Sequence, residues 1–137
     1  MTLIGTSVLI DAFDIDAPLN QWVTDQIAKA KENGDVCVNP SALAECSVRL
    51  DIEQVQSRLL AQGVGLEALP ISASGPTARA FAVYLKRRKA DARVPKTPLP
   101  DFFIGAHTEA EKWAVLTNDA TRFRTYFPRV NVIAPED

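Results

Sequence analysis

Short apolar runs alternate with segments of helical periodicity along the whole chain. The strand-like runs cover residues 2–4, 36–38, 66–69, 114–117 and 130–133. Strands that alternate with helices are typical of a parallel sheet covered by helices on both faces. We therefore predict one α/β/α domain over residues 1–137, with a central parallel sheet of about five strands.

The helical segments begin and end at recognisable residues. In residues 17–31, Leu19, Trp22, Val23 and Ile27 recur at spacings of three and four, and Gly34 follows as a stop. Asn39-Pro40-Ser41 predicts the start of a second helix, which carries Glu45.

Further starts and stops follow along the chain. Asp51 is expected to cap a helix that runs through Ala61, and Ser72 or Ser74 to open a helix that runs into the basic segment 86–96. Three prolines between residues 95 and 100 exclude helix until Asp101, where another helix is expected to begin.

Composition adds few restrictions. The chain has 137 residues, 47% of them apolar and 23% charged, as in ordinary globular domains, and its net charge of -2 does not predict a polyanionic partner. Cys37 and Cys46 form no C-x-x-C pair and suit a reducing cytoplasm. We expect neither a signal peptide nor a membrane span, because no apolar run approaches the ~20 residues that a bilayer requires.

Acidic residues stand where ligands bind in such folds. Ligands of open parallel sheets lie beyond the carboxyl ends of the strands. Asp119 follows the fourth strand, and Glu45 and Asp101 lie near helix starts. Gathered carboxylates repel one another unless a cation holds them, and Mg²⁺ prefers oxygen ligands. The pattern predicts a magnesium site.

No motif of a rival mechanism is present in the sequence. The chain has one His and lacks a G-x-S-x-G motif, a Walker loop and a dinucleotide glycine fingerprint.

Four motifs in order resemble those of PIN-domain proteins, and in particular the VapC-type toxins of bacterial toxin-antitoxin pairs. They are LIGTSVLID at residues 3–11, ALAEC at 42–46, PDFFIGAH at 100–107, and LTNDATRF at 116–123 followed by YFP at 126–128. The resemblance covers the whole chain. At the end of the first strand the family has Asp, whereas this chain has Gly5.

The resemblance implies a Mg²⁺- or Mn²⁺-dependent endoribonuclease that cleaves structured RNA in the cytoplasm. It implies that Glu45, Asp101 and Asp119 hold the metal and that Ser7 and Thr117 orient a water or a carboxylate. Gly5 would then be the position of a missing ligand, and activity would be weak or absent. A cognate antitoxin and a homodimer are also implied, with Trp22, Val55 and Leu59 as candidate contributors to the dimer.

The presence of Gly5 at this position has two possible origins, and the protein has two alternative functions besides cleavage of RNA. It is either a substitution made so that a toxic nuclease can be expressed, or a naturally degenerate site. In the second case the protein would bind RNA or an antitoxin without cutting. A phospho-accepting receiver domain is a further alternative, but it requires an acidic pair where Gly5 and Thr6 stand.

Each candidate residue also has a purely structural explanation. Asp101 could be a helix cap and Asp119 a turn residue. Asp11, Asp14 and Asp16 are expected to be helix-start and turn acids rather than a second metal site, and they could supplement the site only if the chain folds back tightly. His107, Phe102, Phe103 and Trp113 are expected to be core residues before they are ligands or stacking platforms. The basic residues could form a solvated face, although we favour contact with RNA phosphates. The candidate RNA-binding residues are Arg87, Arg88, Arg93, Lys96, Arg122 and Arg124.

Overall fold

A computed structural model of the chain describes residues 1–135, so residues 136 and 137 of the predicted domain lie outside the described part. Its five strands form one sheet in the order β3-β2-β1-β4-β5, and every neighbouring pair is parallel. The strands are β1 (Thr2–Ile4), β2 (Val36–Val38), β3 (Gly65–Leu66), β4 (Ala114–Leu116) and β5 (Asn131–Ile133). The predicted α/β fold with a five-stranded parallel sheet is therefore confirmed.

Seven α-helices flank this sheet within residues 1–135. They are α1 (Thr6–Ala12), α2 (Asn20–Asn33), α3 (Pro40–Cys46), α4 (Ile52–Ala61), α5 (Ser74–Ala90), α6 (Leu99–Glu111) and α7 (Ala120–Tyr126), with a 3-10 turn at Ile71–Ala73 before α5. None of them is both long enough and apolar enough to cross a membrane.

The strand order brings the carboxyl ends of β1 and β4 together. The side chains of β1 and β2 are buried throughout, as expected for strands with helices on both faces. The Gly5 N–H, just beyond β1, donates a hydrogen bond of 2.9 Å to the Leu116 carbonyl at the end of β4. Residues that follow these two strands therefore share one edge of the sheet.

Helix starts follow the predicted capping residues, with one exception. The Asn39 side chain accepts a 3.1 Å hydrogen bond from the Ala42 N–H, and the Asp51 side chain accepts one of 3.1 Å from the Gln54 N–H. The start predicted at Asp101 is wrong by two residues, because α6 begins at Leu99 with a proline in its first turn. Proline is tolerated there, since the first turn needs no N–H donor.

Helices α1 and α7 were not predicted from the sequence. Each has only seven residues, too few for two full amphipathic repeats. Helix α1 also lacks a side-chain cap at Gly5. Because α1 begins directly after β1, it turns residues 6–12 across the end of the sheet.

Aromatic residues join α5, α6 and α7 in one part of the core. Phe102 is 1% exposed, and its ring lies 5.3 Å from those of Phe81, Tyr84 and Tyr126.

Val55 and Leu59 are each 2% exposed. They therefore belong to the core of one chain, and their suggested place at a dimer surface is wrong.

Candidate functional site

A cleft of about 490 Å³ opens beyond the carboxyl ends of β1 and β4. Helices α1, α3, α6 and α7 each contribute residues to it. Its lining consists of Gly5, Thr6, Ser7, Ile10, Asp11, Glu45, Val48, Arg49, Asp101, Thr117, Asn118, Asp119, Arg122 and Phe123. The cleft therefore brings together the six positions that were predicted to be catalytic or metal-binding, which are Glu45, Asp101, Asp119, Ser7, Thr117 and Gly5.

Glu45 supplies a buried acceptor. It lies on α3, which Asn39 and Pro40 start at a fixed point after β2. Among the described residues its Oε1 atom is buried and has no hydrogen-bond partner. A buried carboxylate oxygen without a donor costs free energy, so this atom is suited to a cation or a donor from outside the chain.

Asp101 is the most buried of the three carboxylates, with 8% exposure. It lies in the first turn of α6 and accepts a hydrogen bond at Oδ2 from Nη1 of Arg122. Burial raises the pKa of Asp101 to about 6; the Arg122 guanidinium opposes this shift, and the charges of Glu45 and Asp119 add to it. The charge of Asp101 is thus disfavoured by both of the other carboxylates.

Asp119 is the N-cap of α7. Its Oδ1 accepts from the Arg122 N–H at 3.4 Å, and its own N–H donates to the buried Thr117 hydroxyl at 3.0 Å. Arg122 Nε lies 3.3 Å from Asp119 Oδ2. Arg122 was predicted to contact RNA phosphates, and its guanidinium pairs with Asp101 and Asp119 in the cleft.

Gly5 has a backbone conformation that any residue can adopt, with φ of -75° and ψ of 163°. A Cβ at this position would lie 3.2 Å from the Leu116 carbonyl oxygen and 3.8 Å from Thr117 Cβ. A side chain therefore requires a shift of a few tenths of an ångström in β4. The backbone gives no reason for glycine here.

Among the charged and amide residues that line the cleft, Asp11, Arg49 and Asn118 were not predicted as site residues. Asp11 was interpreted as a helix-start or turn acid together with Asp14 and Asp16, but it lines the cleft and accepts from Asn118 Nδ2 at 3.0 Å. Asp14 does lie in a turn, where its Oδ1 accepts from the Asp16 N–H at 3.0 Å.

Ser7 and Asp11 are four residues apart and share one face of α1, but this spacing is informative only once α1 is known. Arg49 and Asn118 carried no comparable signal in the sequence.

His107 does not belong to the cleft. It is 1% exposed, its Nδ1 lies 3.1 Å from the amide nitrogen of Asn39, and its ring is 5.0 Å from that of Trp113. Burial lowers the pKa of His107. It is a core histidine with a hydrogen-bonding partner, as the structural interpretation of the sequence predicted.

The basic residues of segment 86–96 have different surroundings. Arg88 Nη1 donates to the carbonyls of Ala92 and Val94, both at 2.6 Å, and Arg93 pairs with Asp91 at 3.0 Å. Lys96 is exposed, as is Arg124 on α7.

Arg87 differs from its neighbours because it borders a second pocket, lined also by Asp119 and Arg122 of the cleft. Of the basic segment, Arg87 is therefore the residue that the fold connects to the acidic site.

The cleft offers the oxygen atoms that a divalent cation prefers as ligands, but these atoms are not arranged as a metal site. Its oxygen donors and the partnerless Glu45 Oε1 suit a hard ion. Yet within residues 1–135 no three acidic, histidine or cysteine side chains are grouped closely enough to hold a metal. Gly5 contributes no carboxylate, and Arg122 already neutralises two of those present.

Comparison with solved structures finds the same fold in several toxin-antitoxin assemblies. The chain is similar to chains in the VapBC2 structure from Rickettsia felis bound to promoter DNA, with a TM-score of 0.71, 16% identity, and 97% of each chain covered. It is also similar to a chain of DNA-bound VapBC from Salmonella typhimurium, with a TM-score of 0.67, 16% identity, and coverage of 97% and 96%.

A toxin-antitoxin complex from Klebsiella pneumoniae gives a TM-score of 0.61 at 17% identity, with coverage of 100% and 99%. No curated protein sequence matches the chain. The sequence model of the PIN domain family matches residues 2–128. The chain therefore belongs to the PIN domain family.

Proposed function

We propose that the protein is a VapC-like, metal-dependent endoribonuclease toxin whose site is impaired because Gly5 stands where the family has Asp. The observation that carries this proposal is the convergence of Glu45, Asp101 and Asp119 on one cleft whose remaining corner is Gly5. PIN domains are generally nucleases, and the fold shared with VapBC complexes supports the toxin assignment.

With a carboxylate restored at position 5, Glu45, Asp101 and Asp119 would contribute oxygen ligands to a Mg²⁺ or Mn²⁺ ion, which the present cleft does not group closely enough by itself. When bound, such an ion would supply an activated water and neutralise charge on the phosphodiester. Thr117 fixes the backbone of Asp119 through its hydroxyl, and Ser7 lies where it can orient a water. Asp11, held by Asn118, adds negative charge to the wall of the cleft.

The proposed partners are structured RNA, a cognate antitoxin and a second copy of the chain, in the cytoplasm. The neighbouring structures are described as VapBC or toxin-antitoxin complexes, which supports an antitoxin partner. The alternative function is binding of RNA or antitoxin without cleavage. The ion pairs of Arg122 favour that alternative, because they neutralise two carboxylates without a metal.

Cleavage of a cellular RNA pool tests the proposal. The chain with Gly5→Asp should cleave RNA in Mg²⁺ or Mn²⁺ on the order of 10²-fold faster than the parent, because catalysis depends steeply on how the reacting groups are oriented. EDTA should abolish the reaction.

Gly5→Asn is the matched control, since it makes the same contact with Leu116 but adds no charge. Both Gly5→Asn and the double variant Gly5→Asp with Glu45→Gln should show negligible RNA cleavage. If Gly5→Asp and Gly5→Asn show the same negligible cleavage over a range of metal concentrations, the nuclease assignment fails and binding alone is favoured.

A further inference from the structure

A second pocket of about 270 Å³ adjoins the acidic cleft. It lies between the end of α5, the loop before α6, and α7, and we call it the α5–α7 pocket. Its lining residues are Arg87, Pro95, Thr97, Asp119, Thr121, Arg122, Thr125 and Tyr126. Because Asp119 and Arg122 line both spaces, a ligand that occupies the cleft can extend into this pocket without leaving the surface.

Arg87 is held in place by an aromatic neighbour. Its Nη1 donates to the Tyr126 hydroxyl at 2.7 Å, and its guanidinium carbon lies 5.4 Å from the Tyr126 ring centroid. Tyr126 is only 7% exposed and packs against Phe102 and Tyr84. The guanidinium therefore has an anchored orientation, while its remaining N–H groups can donate to a ligand.

The rest of the lining favours a phosphate group. Thr97, Thr121 and Thr125 line the pocket. The Thr125 hydroxyl donates to the Thr121 carbonyl at 2.7 Å, so Thr97 and Thr121 are the candidate hydroxyl donors. The carboxylate of Asp119 is paired with Arg122, so its charge is partly neutralised. Arginine with neighbouring hydroxyl donors matches phosphate oxygens better than it matches an apolar ligand.

The volume limits the size of the ligand. At about 270 Å³ the pocket is smaller than the ~300–1,000 Å³ typical of sites for drug-sized molecules. A phosphate with part of its ribose fits this size better than a whole cofactor does.

We propose that the α5–α7 pocket binds the phosphate of an RNA chain next to the one in the acidic cleft, with Arg87 as its principal contact. This inference rests on the proposed function, because it takes the cleft to be the place of the scissile phosphate. It assigns Arg87 a role that Arg88 and Arg93 do not share, since those two side chains are bound to local carbonyls and to Asp91.

Binding of a fluorescent single-stranded RNA in EDTA tests the pocket without cleavage. Arg87→Gln should weaken binding about 10-fold, because it removes a charge-assisted hydrogen bond to the phosphate. The salt slope should fall by about 0.7, as for one lost phosphate contact. Arg93→Gln is the matched control and should change affinity less than about twofold, because Arg93 is an exposed partner of Asp91.

Two further variants separate binding from folding. Arg87→Lys keeps the charge but loses the fork of donors, so it should bind RNA with intermediate affinity. Tyr126→Phe removes the hydroxyl that orients Arg87 and should also give an intermediate loss. Thermal unfolding of each variant identifies any that do not fold.

The outcomes distinguish the pocket from the nuclease assignment. If Arg87→Gln binds RNA as Arg93→Gln does, the pocket is overturned and the proposed function stands. If RNA binding depends on Arg87 but Gly5→Asp cannot cleave, the pocket stands and the nuclease fails. A parent chain that binds no RNA overturns the pocket, and cleavage by Gly5→Asp then decides the nuclease assignment by itself. If inorganic phosphate or a 5′-mononucleotide stabilises the fold through Arg87 while RNA binding is unaffected by Arg87→Gln, the ligand is a small phosphate and the RNA assignment is wrong.

Discussion

Arg122 determines the charge balance of the cleft at the scale of single residues. It contacts both Asp101 and Asp119, and its side chain is 29% exposed. The sequence permitted the prediction of Asp101 and Asp119 as site residues, since Asp119 follows a strand end, Asp101 lies near a helix start, and both fall in family motifs. It did not permit the prediction that Arg122 points inward, because that direction depends on where α7 begins, and α7 was not predicted.

Replacing Arg122 by Gln tests this arrangement. The variant leaves the Asp101 carboxylate buried with a weaker partner, so the free energy of unfolding at pH 7.5 should fall by about 1–3 kcal/mol. Adding Mn²⁺ should raise the unfolding temperature of this variant more than that of the parent, because a ligand of the folded state stabilises it.

Arg93→Gln serves as the control, since its ion pair with Asp91 is exposed and should contribute little. Equal stability of the Arg122→Gln variant and the parent, with equal responses to Mn²⁺, would contradict the bridging role.

His107 makes a pH-dependent contribution at the same scale. Its pKa is lowered in the folded state by burial, so the unfolded chain binds the proton more readily. The contribution is therefore fully present above the unfolded pKa of ~6.5 and is lost as pH falls through the folded pKa.

His107→Gln keeps an acceptor for Asn39 but cannot be protonated. The difference in unfolding free energy, parent minus variant, should increase as pH rises from 5 to 7.5, measured by denaturant titration. The raised pKa of Asp101 acts in the opposite direction but is common to both proteins, so it cancels. A difference that does not change with pH would refute the assignment.

At the scale of elements, α6 is packed closely against the residues that follow α7. A Cβ added at Gly105 would lie 2.3 Å from ring atoms of Phe127, whereas one added at Gly75 in α5 meets nothing within 4 Å. Gly105→Ala should therefore destabilise the protein by roughly 1–3 kcal/mol through overpacking.

Gly75→Ala should stabilise by up to about 1 kcal/mol, because alanine has the higher helix propensity. Urea unfolding of the two variants provides the comparison. If Gly105→Ala does not lower the urea midpoint relative to the parent, the described packing of α6 is incorrect.

The long helices and the central strands could be predicted because their patterns are local. Periodic apolar residues predicted α2, and Asn39 and Asp51 predicted the starts of α3 and α4. Helices α1 and α7 and the exact limits of β3 were not predictable in this way. Their short lengths depend on tertiary packing, which a single sequence does not encode in its periodicity. The cleft role of Asp11 was missed for that reason.

At the scale of the whole molecule, the order β3-β2-β1-β4-β5 makes the site. Residues separated by more than a hundred positions, such as Asp11 and Asn118, meet because β1 and β4 are neighbours. The motif order predicted this convergence through family resemblance, whereas spacing alone could not have done so. We propose that the assembled cleft is a metal site that lacks one carboxylate, at position 5.

Calorimetric titration with Mn²⁺ tests this claim most directly, using the parent, Gly5→Asp and Gly5→Asn. The two variants share the contact of a Cβ with the Leu116 carbonyl at 3.2 Å, so they differ chiefly in charge. We predict that Gly5→Asp binds Mn²⁺ at least about 10-fold more tightly than both Gly5→Asn and the parent, because a hard cation gains a carboxylate ligand. Equal affinities for Gly5→Asp and Gly5→Asn would contradict the claim that position 5 is the missing ligand.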